Sequence, residues 1–261
     1  MNLRAMWRNA GKRLKELLPK RFSDMRSFEY FADGLGVRGK NLSQISDARF
    51  TAAWKFAFEG NREGWTHRGE PPDLRWRASV CCWAARNGLT LDGDFVECGV
   101  HTGLISMTVC HFLGFENINR KFFLYDTFEG IPREGLTGRE ADVAVFLNDR
   151  MYSDVWELVQ RNFSRYPNVS LVRGRLPGTL DTVCPDRIAY LSIDLNIASF
   201  ERETIEALWQ NIVPGAAIVI DDYAFQNHEN QYEMWNAFAA SRGTAVLALP
   251  TGQGMLIRPP D

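Results

Sequence analysis

No run of apolar residues in this chain approaches the roughly 18 needed to cross a bilayer, so no membrane span is expected. The five cysteines (Cys81, Cys82, Cys98, Cys110 and Cys184) are odd in number and show neither CxxC nor zinc-knuckle spacing. A disulfide framework and a structural zinc site are therefore not expected. The first residues lack the apolar core of a secretory leader, and a reducing, cytoplasmic setting is the expectation. Net charge is only -2, which removes any global electrostatic case for nucleic acid. Low-complexity tracts and internal repeats are absent, and the spacing of Gly99 and Gly103 is not that of the dinucleotide GxGxxG pattern.

What is present is a globular composition, 45% hydrophobic and 24% charged over 261 residues. That length suits one large α/β domain with an N-terminal addition. Met1 to Phe22 is basic and helical in pattern, with Leu3, Met6, Trp7, Leu14, Leu17 and Leu18 among seven Lys and Arg residues. It reads as a subunit-packing or partly solvated helix, with contact to an anionic membrane surface as the weaker alternative. Residues 1–90 read as helical and irregular, with turn signals at Gly34-Leu35-Gly36 and Glu70-Pro71-Pro72 and a helix over Leu74 to Asn87 ended by Gly88. This N-terminal extension is taken to serve oligomerisation or to cover the acceptor, and a homo-oligomer is expected.

From residue 91 onward short apolar strands alternate with helices. Strands are expected at Phe95–Cys98, Lys121–Tyr125, Val169–Val172, Ile188–Ile193 and Ala216–Ile220. Helices are expected over Ile105–Phe112, Asp154–Tyr166, Glu201–Trp209 and Gln231–Ala240, with Pro214-Gly215 as a turn. A closing hairpin, Thr244–Leu249 with Gly254–Ile257, completes an α/β Rossmann-like, mainly parallel seven-stranded sheet with helices on both faces.

In such sheets ligands bind beyond the carboxyl ends of the strands, and the chemistry-bearing residues fall there. Glu97-Cys98-Gly99-Val100-His101-Thr102-Gly103 joins a strand to a helix, and its glycines let the backbone approach a ligand. Asp126 ends the next strand, where a carboxylate accepts ribose hydroxyls or caps the segment that follows. Together they indicate an adenosine-bearing ligand. Acidic Glu97 beside the glycines suits a ligand with a sulfonium and an ammonium better than a pyrophosphate. A nicotinamide-dependent oxidoreductase is thereby disfavoured.

Asp94 to Val100, Tyr125-Asp126-Thr127-Phe128-Glu129-Gly130-Ile131-Pro132, Ile193-Asp194, Pro214-Gly215 and Ile220-Asp221-Asp222-Tyr223 come in that order. This set, over roughly residues 75–258, resembles the macrocin O-methyltransferase family of class I S-adenosylmethionine-dependent enzymes. The resemblance implies methylation of a sugar hydroxyl in natural-product or surface-polysaccharide biosynthesis. It implies that Glu97, Gly99 and Gly103, with His101 and Thr102 in the same loop, line the methionine side. It further implies that Asp126 and Thr127 hold the ribose, that Arg173-Gly174-Arg175 lies near the adenine, and that Asp194 borders the cofactor.

Asp194, Asp221 and Asp222 end two strands expected to be neighbours. Three crowded carboxylates repel one another unless neutralised, and a hard cation such as Mg²⁺ is the economical answer. The resemblance implies the same metal; pairing of one Asp with an arginine is the alternative. Relatives often carry Asp-x-Asp where this chain reads Asp194-Leu195-Asn196, and Asn196 orients an acceptor but cannot take a proton. Of the four histidines, His228 is the best candidate base; His101 sits in the cofactor loop, His111 reads as a packed or surface residue, and His67 has no assigned place. The alternatives to a sugar O-methyltransferase are a binding protein that kept the fold and lost turnover, and an enzyme for a more acidic acceptor such as a carboxylate or phenol. The acceptor-facing parts are placed at residues 22–75 and 133–155.

Overall fold

A computed structural model describes residues 28–65 and 69–260. The predicted N-terminal helix and His67 lie outside the described residues. By internal packing the chain divides into two units, one ending at Leu42 and one running from Ser43 to Asp261.

In the first unit, β1 (Tyr30–Ala32) and β2 (Leu35–Val37) form an antiparallel hairpin. The two-residue turn Asp33-Gly34 has positive φ at both positions, 53° and 74°, which is what a right-twisted hairpin demands. The helical-and-irregular expectation is corrected at residues 30–37 alone: the turn signal there belongs to a hairpin whose strands are too short to show period-2 alternation.

The second unit begins with α1 (Ser43–Ser46) and α2 (Ala48–Asn61). Asp47 caps α2, its carboxylate accepting from the Arg49 and Phe50 amides at 3.0 Å. α3 (Arg75–Gly88) follows, close to the expected bounds. The sheet then contains β3 (Asp94–Cys98), β4 (Phe122–Asp126), β5 (Val169–Arg173), β6 (Ile188–Ile193), β7 (Ile212–Ile220), β8 (Leu247–Ala248) and β9 (Gly254–Ile257). Their order is β5-β4-β3-β6-β7-β9-β8; β9 pairs antiparallel with both β7 and β8 and the other pairings are parallel, the predicted seven-stranded Rossmann-like sheet. β6 is buried at every residue, because helices cover both faces of a central parallel strand.

The connecting helices are α4 (Leu104–Leu113), α5 (Gly138–Arg150), α6 (Trp156–Phe163), α7 (Ala198–Leu208) and α8 (Glu229–Ser241). Pro214-Gly215, read as a turn, instead lies inside β7. The ladder to β6 is irregular there, with Ile188 opposite Ile212 but Tyr190 opposite Ala217, so the prolyl residue falls in a bulge where no amide is needed. α5 was not anticipated: among its residues only Ala144 is buried, so it leaves no apolar stripe to read.

α5 is nonetheless anchored over the end of β6. Glu140 accepts from the backbone amide and the hydroxyl of Ser199, at 3.0 and 2.8 Å, at the start of α7. Ala144 packs with Ile197 and Phe200, and Ile131, Leu136, Val143 and Leu195 close around them. On its other side Arg139 reaches Glu229 and the Asn227 carbonyl, both at 3.0 Å. The segment therefore bridges the ends of β4, β6 and β7.

Candidate active site

β4, β3, β6 and β7 are consecutive neighbours, so the residues after their carboxyl ends share one cleft edge. The β3–α4 turn is built by left-handed backbone: Gly99, His101 and Gly103 have φ of 85°, 50° and 86°. The glycines answer to the protein itself. A Cβ on Gly99 would sit 1.8 Å from the Asp194 carbonyl oxygen, and one on Gly103 would sit 2.5 Å from the Phe163 ring. The cofactor loop and the end of β6 are thus in backbone contact, which joins the two halves of the site.

Asp126 braces this loop. Its Oδ2 accepts from the Val100 and His101 amides at 2.6 and 2.7 Å, and its Oδ1 accepts from the Phe128 amide at 2.7 Å. Thr127 lies alongside, its hydroxyl donating to the Gly130 carbonyl and 3.3 Å from Asp126 Oδ1. Gly174, just past β5, donates its amide to the Asp126 carbonyl at 2.9 Å. Arg175 turns toward the β4–α5 connection instead: it donates to the Glu134 carbonyl at 3.1 Å and lies 4.5 Å over the Phe200 ring.

Two buried polar atoms in the loop region lack partners within the protein, Glu97 Oε2 and His101 Nε2. Burial pushes the Glu97 carboxyl well above the usual carboxylate range, against the opposing hydrogen bond from Ser106. Burial likewise lowers His101 to about 4, so its ring is neutral at physiological pH. Orphaned buried groups of this kind call for a partner that a ligand or an ordered water can supply. Aromatic edges frame the same ring: Trp65 at 4.8 Å and Tyr152 at 5.1 Å from His101. Trp65 also donates Nε1–H to Thr102 Oγ1 at 3.2 Å.

Across the backbone contact lies the second cluster. Asp194, Asp221 and Asp222 each present a carboxylate oxygen within 4.8 Å of the others. Burial and then the charges of Asp222 and Asp221 drive the Asp194 carboxyl well up, Arg77 opposing. Asn196, at φ 59°, donates its amide nitrogen to Asp194 Oδ1 at 2.9 Å and to the Tyr152 hydroxyl at 3.2 Å. His228, just before α8, comes within 3.6 Å of Asp222 Oδ2 through Nδ1, with Gln231 Nε2 at 3.2 Å from the same atom. Gln231 Nε2 also donates to the Asn196 carbonyl at 2.8 Å. The structure thus gathers Asp194, Asn196, Asp221, Asp222 and His228 into one group. His111 is elsewhere, stacked on Phe56 at 4.3 Å.

Sequence reasoning did not find Trp65, Arg77, Tyr152 or Gln253. Arg77 Nη1 meets Asp221 Oδ2 at 2.5 Å, and Gln253 Nε2 meets Asp221 Oδ1 at 3.0 Å. The arginine alternative weighed for the Asp pair is therefore realised at Asp221. All four residues lie outside the strand-end motifs, and no local pattern marks them.

Residues 81–246 match the model of the macrocin O-methyltransferase (TylF) family. The chain is 29% identical over 168 residues to the 8-demethyl-8-(2,3-dimethoxy-alpha-L-rhamnosyl)-tetracenomycin-C 4'-O-methyltransferase of Streptomyces olivaceus, covering 59% of this chain and 64% of that protein. It is 27% identical over 151 residues to the mycinamicin III 3''-O-methyltransferase of Micromonospora griseorubida, covering 54% and 58%. The match thus spans less than two thirds of either curated relative. Among solved structures, the O-methyltransferase NovP superposes with a TM-score of 0.65 at 20% identity, covering 84% of this chain and all of that one. The SAM-bound O-methyltransferase TomG of Streptomyces achromogenes gives 0.53 at 14%, covering 80% and 90%. These likenesses establish the fold.

Proposed function

The chain belongs to the macrocin O-methyltransferase family, and from that premise we propose that it transfers a methyl group from S-adenosylmethionine to a hydroxyl of a sugar or glycoside, assisted by Mg²⁺. The observation that carries the proposal is the joining, through Gly99 and the Asp194 carbonyl, of a loop holding orphaned buried polar atoms to a three-carboxylate cluster. A sugar acceptor is supported by the two curated relatives, one of which is named for a rhamnosyl substrate.

The residues present fit the cofactor. Glu97 Oε2 would accept from the ammonium of the methionine part, and neutral His101 would meet its carboxylate through Nε2. Asp126 has its oxygens engaged by three backbone amides, with the Thr127 hydroxyl beside them. Oδ1, which accepts from the Phe128 amide alone among them, keeps acceptor capacity for a ribose hydroxyl while Oδ2 holds the loop. S-adenosylmethionine supplies the electrophilic methyl group when bound.

The donor set also fits a hard divalent ion: all-oxygen, anionic and clustered within 4.8 Å. Asp194 and Asp222 would hold it beside Asp221, and its charge makes a nearby hydroxyl a better acid. Proton removal falls to His228. Its Nδ1 lies between Asp222 Oδ2 at 3.6 Å and the Gln231 amide nitrogen at 3.2 Å; in the tautomer that carries the proton on Nδ1, Nε2 would act as base. Asn196 does not compete for this role, because its amide nitrogen is spent on Asp194 and Tyr152.

Two variants and two assays test the proposal together. Asp222→Ala is expected to abolish turnover, and His228→Ala to lower it by roughly 10²–10⁴-fold, the range for a general base. Both are expected to keep wild-type calorimetric affinity for S-adenosylhomocysteine. Loss of that affinity in either variant, or full turnover in both, overturns the assignment.

A further inference from the structure

Tyr152 reaches both halves of the proposed site. It lies in the connection between α5 and α6, and two contacts fix its backbone. Its amide donates to the Leu147 carbonyl at 3.3 Å, and its Cβ lies 3.4 Å from where a Cβ on Gly130 would stand, just past β4. Its ring stands edge-on to His101 in the β3–α4 turn, with centroids 5.1 Å apart and planes at 80°. Its hydroxyl lies beyond the end of β6, where it accepts from Asn196 Nδ2 at 3.2 Å. The side chain is only partly buried.

A phenol hydroxyl accepts and donates at once. Here only the accepting side is used, because Asn196 is the sole hydrogen-bond partner of this hydroxyl among the described residues. Burial, with the carboxylates of Asp194, Asp222 and Asp126 acting in the same direction, holds the phenol well above its ordinary pKa. The proton therefore stays on the oxygen and is available to a ligand. Position assigns that ligand. The hydroxyl end lies on Asn196, beside the carboxylate cluster, while the ring end faces the turn proposed for the cofactor.

We propose that Tyr152 determines acceptor specificity, its hydroxyl donating to a sugar hydroxyl oxygen other than the one that is methylated. The inference rests on the reading of the chain as a sugar O-methyltransferase and deepens it. A neighbouring oxygen suits the donor better than the reacting one, since a donor on the reacting oxygen draws off the electron density that attacks the methyl carbon. A site built to bond a substrate hydroxyl rejects an analogue without it, because the protein group is then left unpaired.

Two deletions test this, one on each side of the proposed bond. Tyr152→Phe removes the hydroxyl and keeps the ring. The monodeoxy analogues of methyl α-rhamnoside remove the acceptor oxygens in turn. Methyl transfer is followed with Mg²⁺ present, and calorimetric affinity for S-adenosylhomocysteine reports on the cofactor half and the fold. Tyr152→Phe is expected to raise KM for methyl α-rhamnoside by about 2–10-fold, the range for one neutral hydrogen bond, with the larger part of the loss in KM and with wild-type S-adenosylhomocysteine affinity. One deoxy analogue is expected to be poorer than the parent glycoside by a similar factor with the wild-type chain, and no poorer than the parent with Tyr152→Phe, because either deletion removes the same bond. Unchanged KM in Tyr152→Phe, the same deoxy penalties in both proteins, or weakened S-adenosylhomocysteine binding overturns the inference and leaves the sugar reading standing. No transfer to methyl α-rhamnoside by the wild-type chain overturns both.

Discussion

Asn196 is the residue where the chain departs from the Asp-x-Asp pattern, and its surroundings give the departure a use. A left-handed backbone at φ 59° is tolerated by Asn better than by most residues, and from there the amide reaches both Asp194 and Tyr152. A carboxylate in its place would sit about where Nδ2 now lies, 2.9 Å from Asp194 Oδ1, in a cluster already crowded with negative charge. Asn196→Asp is therefore expected to lower the thermal midpoint in EDTA and to give no gain in turnover. A faster enzyme with undiminished stability would mean that the second carboxylate is the better base and that His228 is not needed. The strand-end residues were legible in the sequence because each follows an apolar run that stops at an Asp or a Glu-Cys-Gly. Their partners were not. Arg77 lies 144 positions from Asp221, and Gln253 lies 32 positions from it; only the folded sheet brings them together.

Elements with a one-sided or fully buried pattern announced themselves, and elements held by polar contacts did not. β3, β4 and β6 are mostly apolar and buried along almost their whole length, and their bounds came out within a residue or two of expectation. α5 is held instead by Glu140 on Ser199 and by Arg139 on Glu229, with one buried residue of its own. α7 and α8 join through a buried polar contact that has a measurable consequence. Trp235 Nε1 donates to Glu201 Oε2 at 2.7 Å, and burial raises the Glu201 carboxyl to about 8. The folded state thus holds a proton that the unfolded chain, near 4.5, gives up first. The stability that goes with that proton is present below the unfolded value and is lost as pH rises toward about 8. Glu201→Gln cannot titrate. Its thermal midpoint relative to wild type is expected to climb between about pH 5 and about pH 8.5. A difference that stays constant over that window would mean that Glu201 is ionised throughout.

At the scale of the whole molecule, the two halves of the site are made by different stretches of chain and meet at one backbone contact. The β3–α4 turn and Asp126 form the half proposed for the cofactor; Asp194, Asp221, Asp222 and His228 form the half proposed for the acceptor; Gly99 against the Asp194 carbonyl joins them. α5 and Tyr152 close over both. Under the proposed function such an arrangement would separate binding from chemistry, with the carboxylate cluster given to the acceptor and the orphaned atoms of Glu97 and His101 to the cofactor. The most direct measurement follows transfer of a labelled methyl group from S-adenosylmethionine to a rhamnosyl glycoside by the wild-type chain, with and without EDTA, alongside S-adenosylhomocysteine affinity under the same two conditions. The expected result is a methyl ether formed only in the metal-containing buffer, with S-adenosylhomocysteine bound equally well in both. Transfer at full rate in EDTA, or label found only in carboxylate esters, would contradict a metal-assisted sugar O-methyltransferase.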